Sequence, residues 1–154
     1  MSLEIIPFES KYAPAFKALN IAWIRKHFHV EPMDIRYLEN CQKSIVDQGG
    51  YIFFAKYMEN IVGCFAFIRL NSSVYELGKM AVDTEYQGLK IGQKLLSFGI
   101  DFAKKKNWGK IVLYSSTKLD TALHIYKKKG FKEVVMETNV AYERSNIKME
   151  MELK

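Results

Sequence analysis

Only two cysteines and three prolines occur in the 154 residues of this chain. Two thiols, Cys41 and Cys64, are too few for a disulfide framework, so a reducing compartment and core-filling roles are the expectation. Long hydrophobic runs are also missing. No apolar stretch approaches the roughly 18 residues that a spanning helix requires, and the opening "MSLEIIPFES" carries no basic leader. A cytoplasmic protein with no membrane partner is therefore expected. Repeats, low-complexity tracts and linkers are lacking, which leaves one domain over residues 1–154, with 49% hydrophobic residues to fill its core. Acidic residues are scarce in one segment. Residues 79–132 hold 12 Lys/Arg against 4 Asp/Glu, a local charge of +8 within a chain whose total is +6. Such a field favours an anionic partner, either a phosphorylated small molecule or a nucleic acid. The lysine runs taken alone fit a solvated surface.

What is present has a clear order. Leu3–Pro7 reads as a short strand, and residues from about Tyr12 to His29 carry apolar side chains at helical spacing. Pro32 interrupts that pattern, and "MDIRYLENCQKSIV" reads as one or two shorter helices. "YIFFAKY", "IVGCFAFIRL" and "VYELGKMAV" are three strands in succession, the first two joined as a hairpin. Residues 91–106 form the strongest helix, with Ile91, Leu95, Phe98 and Phe102 at steps of four and three. "KIVLYSS" is a strand, Thr121–Lys129 a helix stopped by Gly130, and "FKEVVME" a strand. The chain closes on Ile147, Met149, Met151 and Leu153 alternating with charged residues, a half-buried strand. The order β-α-α-β-β-β-α-β-α-β-β predicts an α/β fold: a mixed sheet of six to seven strands flanked by about four helices, with parallel crossovers around the two later helices.

The stretch "VDTEYQGLKIG" lies between the third central strand and the strongest helix. Gly88 and Gly92 sit four residues apart, and a helix N-terminus offers free N–H groups and a positive dipole end to phosphate. The spacing matches neither Gly-x-Gly-x-x-Gly nor a phosphate loop ending in Gly-Lys-Ser/Thr. By itself it fits a plain strand-to-helix turn equally well. A second stretch, "TALHIYKKKGFKEV", follows about thirty residues later.

Together these two stretches resemble the GNAT superfamily of acetyl-CoA-dependent N-acetyltransferases. That family carries Gln/Arg-x-x-Gly-x-Gly/Ala after a strand, here Gln87, Gly88, Leu89, Lys90, Ile91 and Gly92. Further on it carries Ala-x-x-(Leu/Ile)-Tyr-x-x-x-Gly-Phe, here Ala122, Ile125, Tyr126, Gly130 and Phe131. The resemblance covers residues 76–134 specifically and nearly the whole chain in element order. It departs at Lys90, where the family has its central glycine, and at Ser115–Ser116–Thr117–Lys118, where an asparagine is common.

The resemblance implies acetyl-CoA as co-substrate and no metal. It implies a pyrophosphate held by the backbone of Gln87–Gly92, with Lys90 in ordinary helical conformation, and a pantetheine arm along Met80, Ala81 and Val82 and near Ser116. A backbone N–H near Val82 would polarise the thioester carbonyl. Tyr126 would be the general acid for the departing thiolate, since a phenol stays protonated at neutral pH. Without the motif, Tyr126 reads as an aromatic on a buried helix face. Glu76 is the candidate base. Six residues before Val82, it shares a sheet face with it by the period of two, although a solvent-facing strand acid fits as well.

On the acceptor side, Trp23 and Phe28 could stack on a cationic amine that Glu31 and Asp34 attract. They could equally be core, hinge and surface residues. His124 reads as a surface residue, and His27 with His29 lacks a further ligand at metal spacing. The expected reaction is direct acetyl transfer to a primary amine, of a small molecule or a peptide N-terminus, with no placed nucleophile to carry the acetyl group. Two rivals remain at this point: a non-catalytic acetyl-CoA sensor, and a basic nucleic-acid-binding module. The lysines follow helix ends and no aromatic platform accompanies them, so no nucleic acid is expected; a homodimer is compatible with every reading.

Overall fold

The computed structural model describes residues 2–154. One mixed sheet runs through the molecule. Its strands are β1 (Leu3–Pro7), β2 (Tyr51–Tyr57), β3 (Asn60–Arg69), β4 (Val74–Val82), β5 (Lys110–Ser115), β6 (Lys132–Val134) and β7 (Ile147–Glu152). The spatial order is β1-β2-β3-β4-β5-β7-β6. Every neighbouring pair is antiparallel except β4 and β5, which are parallel. The helices are α1 (Ala13–His27), α2 (Pro32–Glu39), α3 (Ile91–Lys105) and α4 (Asp120–Lys129), with short 3₁₀ and π turns between elements.

Local chemistry explains the helices. Proline stands in the first turn of α1 and of α2, where its missing N–H costs nothing. Basic residues fill the last turns of α1, α3 and α4, where they complement the helix dipole. Gly130 ends α4 at φ +114, a conformation that favours glycine.

Two cores sit on opposite faces of the sheet. On one side α3 and α4 bury Ile91, Leu95, Leu96, Ile100 and Leu123 against Phe53, Phe65, Phe67 and Leu77. On the other, α1 and α2 bury Phe16, Ile24 and Leu38 against Ile52, Phe54, Cys64 and Ala66. Each fully buried large apolar side chain contributes about 1.5–3 kcal/mol. Cys41 and Cys64 are free and buried in the second core.

One strand expectation needs correction. "FKEVVME" yields only the three residues of β6, and Val135 is 94% exposed. The chain leaves the sheet there to travel toward α2. β6 runs in the same direction as β5, and the last strand, β7, lies between them and pairs antiparallel with both. The alternating apolar face of β7 (Ile147, Met149, Met151) is buried, which explains its more central place.

Candidate active site

β4 and β5 begin as partners and then part. Their register runs only from Val74↔Lys110 to Glu76↔Val112. Beyond it, Leu77–Val82 and Leu113–Ser115 face each other without a ladder, leaving a gap in the middle of the sheet. Backbone groups on such an edge need a partner. Asp83 N–H donates to Val62 O on β3 at 2.8 Å. Successive N–H groups in a strand point to opposite edges, so Val82 N–H points toward the gap.

Two cavities open at this gap. The larger is roughly 640 Å³ and is lined in part by Trp23, Phe28, Glu76, Lys79, Tyr114 and Tyr142. The smaller is roughly 390 Å³ and lies at the N-terminus of α3, lined in part by Val82, Gly88, Lys90, Ile91 and Gly92. Met80, Gln87 and Tyr126 line both. Thr121, Ala122 and Ile125 do so as well, so the two spaces meet along β4 and the face of α4 that carries Tyr126.

In the smaller cavity Gly88 has φ +91, and a Cβ built on it would meet nothing within 4 Å. That open space beside a helix N-terminus is a cradle that a pyrophosphate fits. Lys90 differs from expectation. It takes the left-handed conformation (φ 57, ψ 33) as the N-cap of α3 rather than helical angles. The family's glycine occurs where lysine here accepts strain of about 1 kcal/mol or more. Leu89 is 44% exposed and lines neither cavity, and the buried side chain of Ala81 belongs to the opposite core. The Ser116 hydroxyl is engaged locally, accepting from Lys118 N–H at 3.2 Å.

Tyr126 packs edge-on against Phe131, with ring centroids 5.9 Å apart. Its hydroxyl makes no hydrogen bond among the described residues, and burial raises its pKa above the ordinary phenol value. It remains a proton donor at neutral pH.

Glu76 and Val82 do not share a face, contrary to the even spacing between them. Cys64 pairs with Ala81 and Ala66 with Gly78, so two β4 residues, Lys79 and Met80, stand opposite Phe65. Lys79 adopts φ 53 at this bulge. One extra residue reverses the alternation beyond it. Tyr75, Leu77, Met80 and Val82 thus pack on the α3 side, while Glu76 lines the larger cavity. Burial pushes the Glu76 carboxyl up to about 7; Glu137 adds to the rise, and Lys79 and Lys148 oppose it. No hydrogen bond or ion pair holds this carboxylate among the described residues.

Glu31 and Asp34 are not free to meet an amine. Glu31 is 6% and Asp34 0% exposed. The Glu31 carboxylate accepts from Glu143 N–H at 2.8 Å and from Arg144 Nη1 at 3.4 Å. Asp34 accepts from Arg144 Nη1 and Nη2 at 2.8 and 2.7 Å, from Lys79 Nζ at 2.8 Å and from Glu31 N–H at 2.8 Å. Burial alone would raise the Asp34 carboxyl, but these bonds outweigh it and hold it at about 2. The two acids anchor the loop between β6 and β7, so they build the cavity wall instead of reaching into it. Trp23 and Phe28 line that cavity, with ring centroids 6.0 Å apart. Lys118 lies over the Phe28 ring at 4.7 Å and donates to the His27 carbonyl.

A sequence profile of the acetyltransferase (GNAT) family matches residues 14–131. The chain belongs to that family. Among solved structures it is similar to an acetyltransferase of the GNAT family from Staphylococcus aureus Mu50. That match is 28% identical, covers 99% of this chain and 100% of the other, and has a TM-score of 0.87. A spermidine N-acetyltransferase from Vibrio cholerae in complex with CoA and spermine shares the fold, at 21% identity, 98% and 95% coverage and a TM-score of 0.75. An uncharacterised N-acetyltransferase of Dictyostelium discoideum is 40% identical over 60 residues, 39% of this chain but only 28% of that protein's length. The family is one of acetyltransferases, and among the described residues no helix is long and apolar enough to cross a membrane.

Proposed function

We propose that this GNAT enzyme transfers the acetyl group of acetyl-CoA directly to a primary amine, of a small molecule or a peptide N-terminus. The observation that carries the reading is the parted β4–β5 pair with two cavities at the gap that share Tyr126 among their lining residues. The smaller cavity suits the cofactor and the larger the acceptor. Acetyl-CoA, when bound, supplies a thioester whose acyl carbon is open to attack by a neutral amine.

The chain's own residues supply the rest. Backbone N–H groups of the 87–92 loop and the first turn of α3 hold the pyrophosphate. Val82 N–H, aimed into the gap, steadies the charge that grows on the carbonyl oxygen. Glu76, ionised above pH about 7, takes the proton from the incoming ammonium, directly or through water. Tyr126 gives its phenolic proton to the departing sulfur and regains one from the nitrogen, which sheds its second proton as the amide forms. Trp23 and Phe28 present aromatic faces to the acceptor.

Acetyl-CoA at a hundredfold excess over its dissociation constant should stabilise the fold by about 2.7 kcal/mol. A thermal-shift titration to millimolar concentration tests this, and no response would remove the reading.

The loop makes a second test. Gly88→Val places a β-branched residue at φ +91 and fills the cradle, so acetyl-CoA affinity should fall by tenfold or more. Lys90→Gly should instead relieve strain and raise stability by about 1 kcal/mol. Thermal melts and acetyl-CoA titrations of the two variants check both; a destabilised Lys90→Gly, or a Gly88→Val that binds normally, would contradict this account of the loop.

A further inference from the structure

The β4 bulge is costly. A non-glycine residue in the left-handed region costs on the order of 1–3 kcal/mol and persists only where its surroundings hold it. Lys79 is that residue, at φ 53, and it is held at both ends. Its carbonyl accepts from Cys64 Sγ at 3.5 Å, and Cys64 Sγ in turn accepts from Asn20 Nδ2 at 3.4 Å. Its ammonium donates to Asp34 Oδ1 at 2.8 Å and to the Tyr142 hydroxyl at 2.7 Å. It also lies 4.5 Å from the Tyr142 ring centre and 5.8 Å from that of Tyr37. The Lys79 and Asp34 side chains are 6% and 0% exposed. A charge so deeply placed survives only when paired.

Everything the proposed chemistry asks of β4 depends on this bulge. Before it stands Glu76, on the acceptor side; after it stand Met80 and Val82, on the cofactor side. A regular strand would move Met80 and Val82 across the sheet and turn their backbone groups away from the gap. We propose that the buried Asp34–Lys79 ion pair, completed by Tyr142, is the clamp that fixes the bulge, making Lys79 a positioning residue for acetyl transfer. The inference rests on the proposed function only for its consequence on turnover; the clamp itself is a statement about the fold.

Two substitutions separate this role from simple tolerance of a strained angle. Lys79→Gly relieves φ strain and deletes the ammonium, while Lys79→Met deletes the ammonium alone. Asp34 keeps both Arg144 bonds and the Glu31 N–H in either variant, so both should fold. The expected result is a fall in kcat of about 10²-fold in both, the scale of a small misplacement of reacting groups, with acetyl-CoA KM changed less than the turnover. Tyr142→Phe, which removes one of the two acceptors, should move kcat the same way by a few-fold, and it serves if the lysine variants prove unstable. Amide hydrogen exchange on the ligand-free protein reads the clamp without turnover. Faster exchange at Asp83, whose N–H donates to Val62 O just past the bulge, is expected in the variants, with α3 unchanged. If no amine is ever acetylated yet exchange rises there, the function fails and the clamp stands. Wild-type kcat in Lys79→Gly, or unchanged exchange at Asp83 in all three variants, would overturn the clamp.

Discussion

Tyr126→Phe should lower kcat by about 10²–10⁴ while leaving acetyl-CoA affinity nearly unchanged. The geometry favours a clean experiment. Phe keeps the ring that packs against Phe131 at 5.9 Å, so the apolar contact and the shape of the junction between the two cavities survive. The lost hydroxyl has no hydrogen-bond partner among the described residues, so no orphaned donor or acceptor remains in the protein to destabilise it. What disappears is the proton at the place where the cofactor and acceptor spaces meet. Steady-state kinetics with the preferred amine reads the effect in kcat, and a direct titration reads the unchanged binding. Full turnover in the variant would return Tyr126 to the packing of α4 on the sheet.

Glu76→Gln is expected to lower kcat/KM above neutral pH by about 10²-fold or more, and to abolish the acidic limb of its pH profile. The carboxyl is pushed up to about 7 by burial, with Glu137 raising it further and Lys79 and Lys148 opposing. As a base it works when ionised, so wild-type activity should rise with pH and level off above about 7. The same shift gives an independent stability signature. A carboxyl whose folded pKa is raised contributes stability that is fully present below its ordinary value of 4.5 and is lost as pH rises through about 7. Glutamine removes that dependence, so the variant should lose less stability than wild type between pH 5 and pH 8. Chemical denaturation at the two pH values checks the second effect. An acidic limb that stays in Glu76→Gln would assign the base to another group.

Much of the fold could be read from local patterns. The steps of four and three in α3, the alternation in β7 and the glycine after α4 each specify an element within a dozen residues. Two motifs in the right context were enough to point to the family. What escaped depended on contacts distant in sequence. Tyr142 and Arg144 lie in a stretch with no periodicity, and their roles come from Lys79, Asp34 and Glu31, more than sixty residues earlier. Glu31 and Asp34 carried the right charge for an amine, but Arg144 and the Glu143 backbone claim it first. Gly78, isolated in an apolar strand pattern, was a readable sign of a bulge, and it would have warned that Glu76 and Val82 part company. Lys90 shows the limit of a motif: the left-handed angle that glycine would adopt freely persists with a lysine in its place.

Amine-dependent acetyl transfer is read from release of the CoA thiol from acetyl-CoA across a panel of primary amines and peptides with free N-termini. Release should require the amine and be matched mole for mole by acetylated amine, with no burst of thiol when acetyl-CoA is mixed with enzyme alone. A protein that is stabilised by acetyl-CoA yet releases no thiol with any amine would contradict it, and would leave a cofactor-binding sensor in place of an enzyme that uses Glu76 and Tyr126.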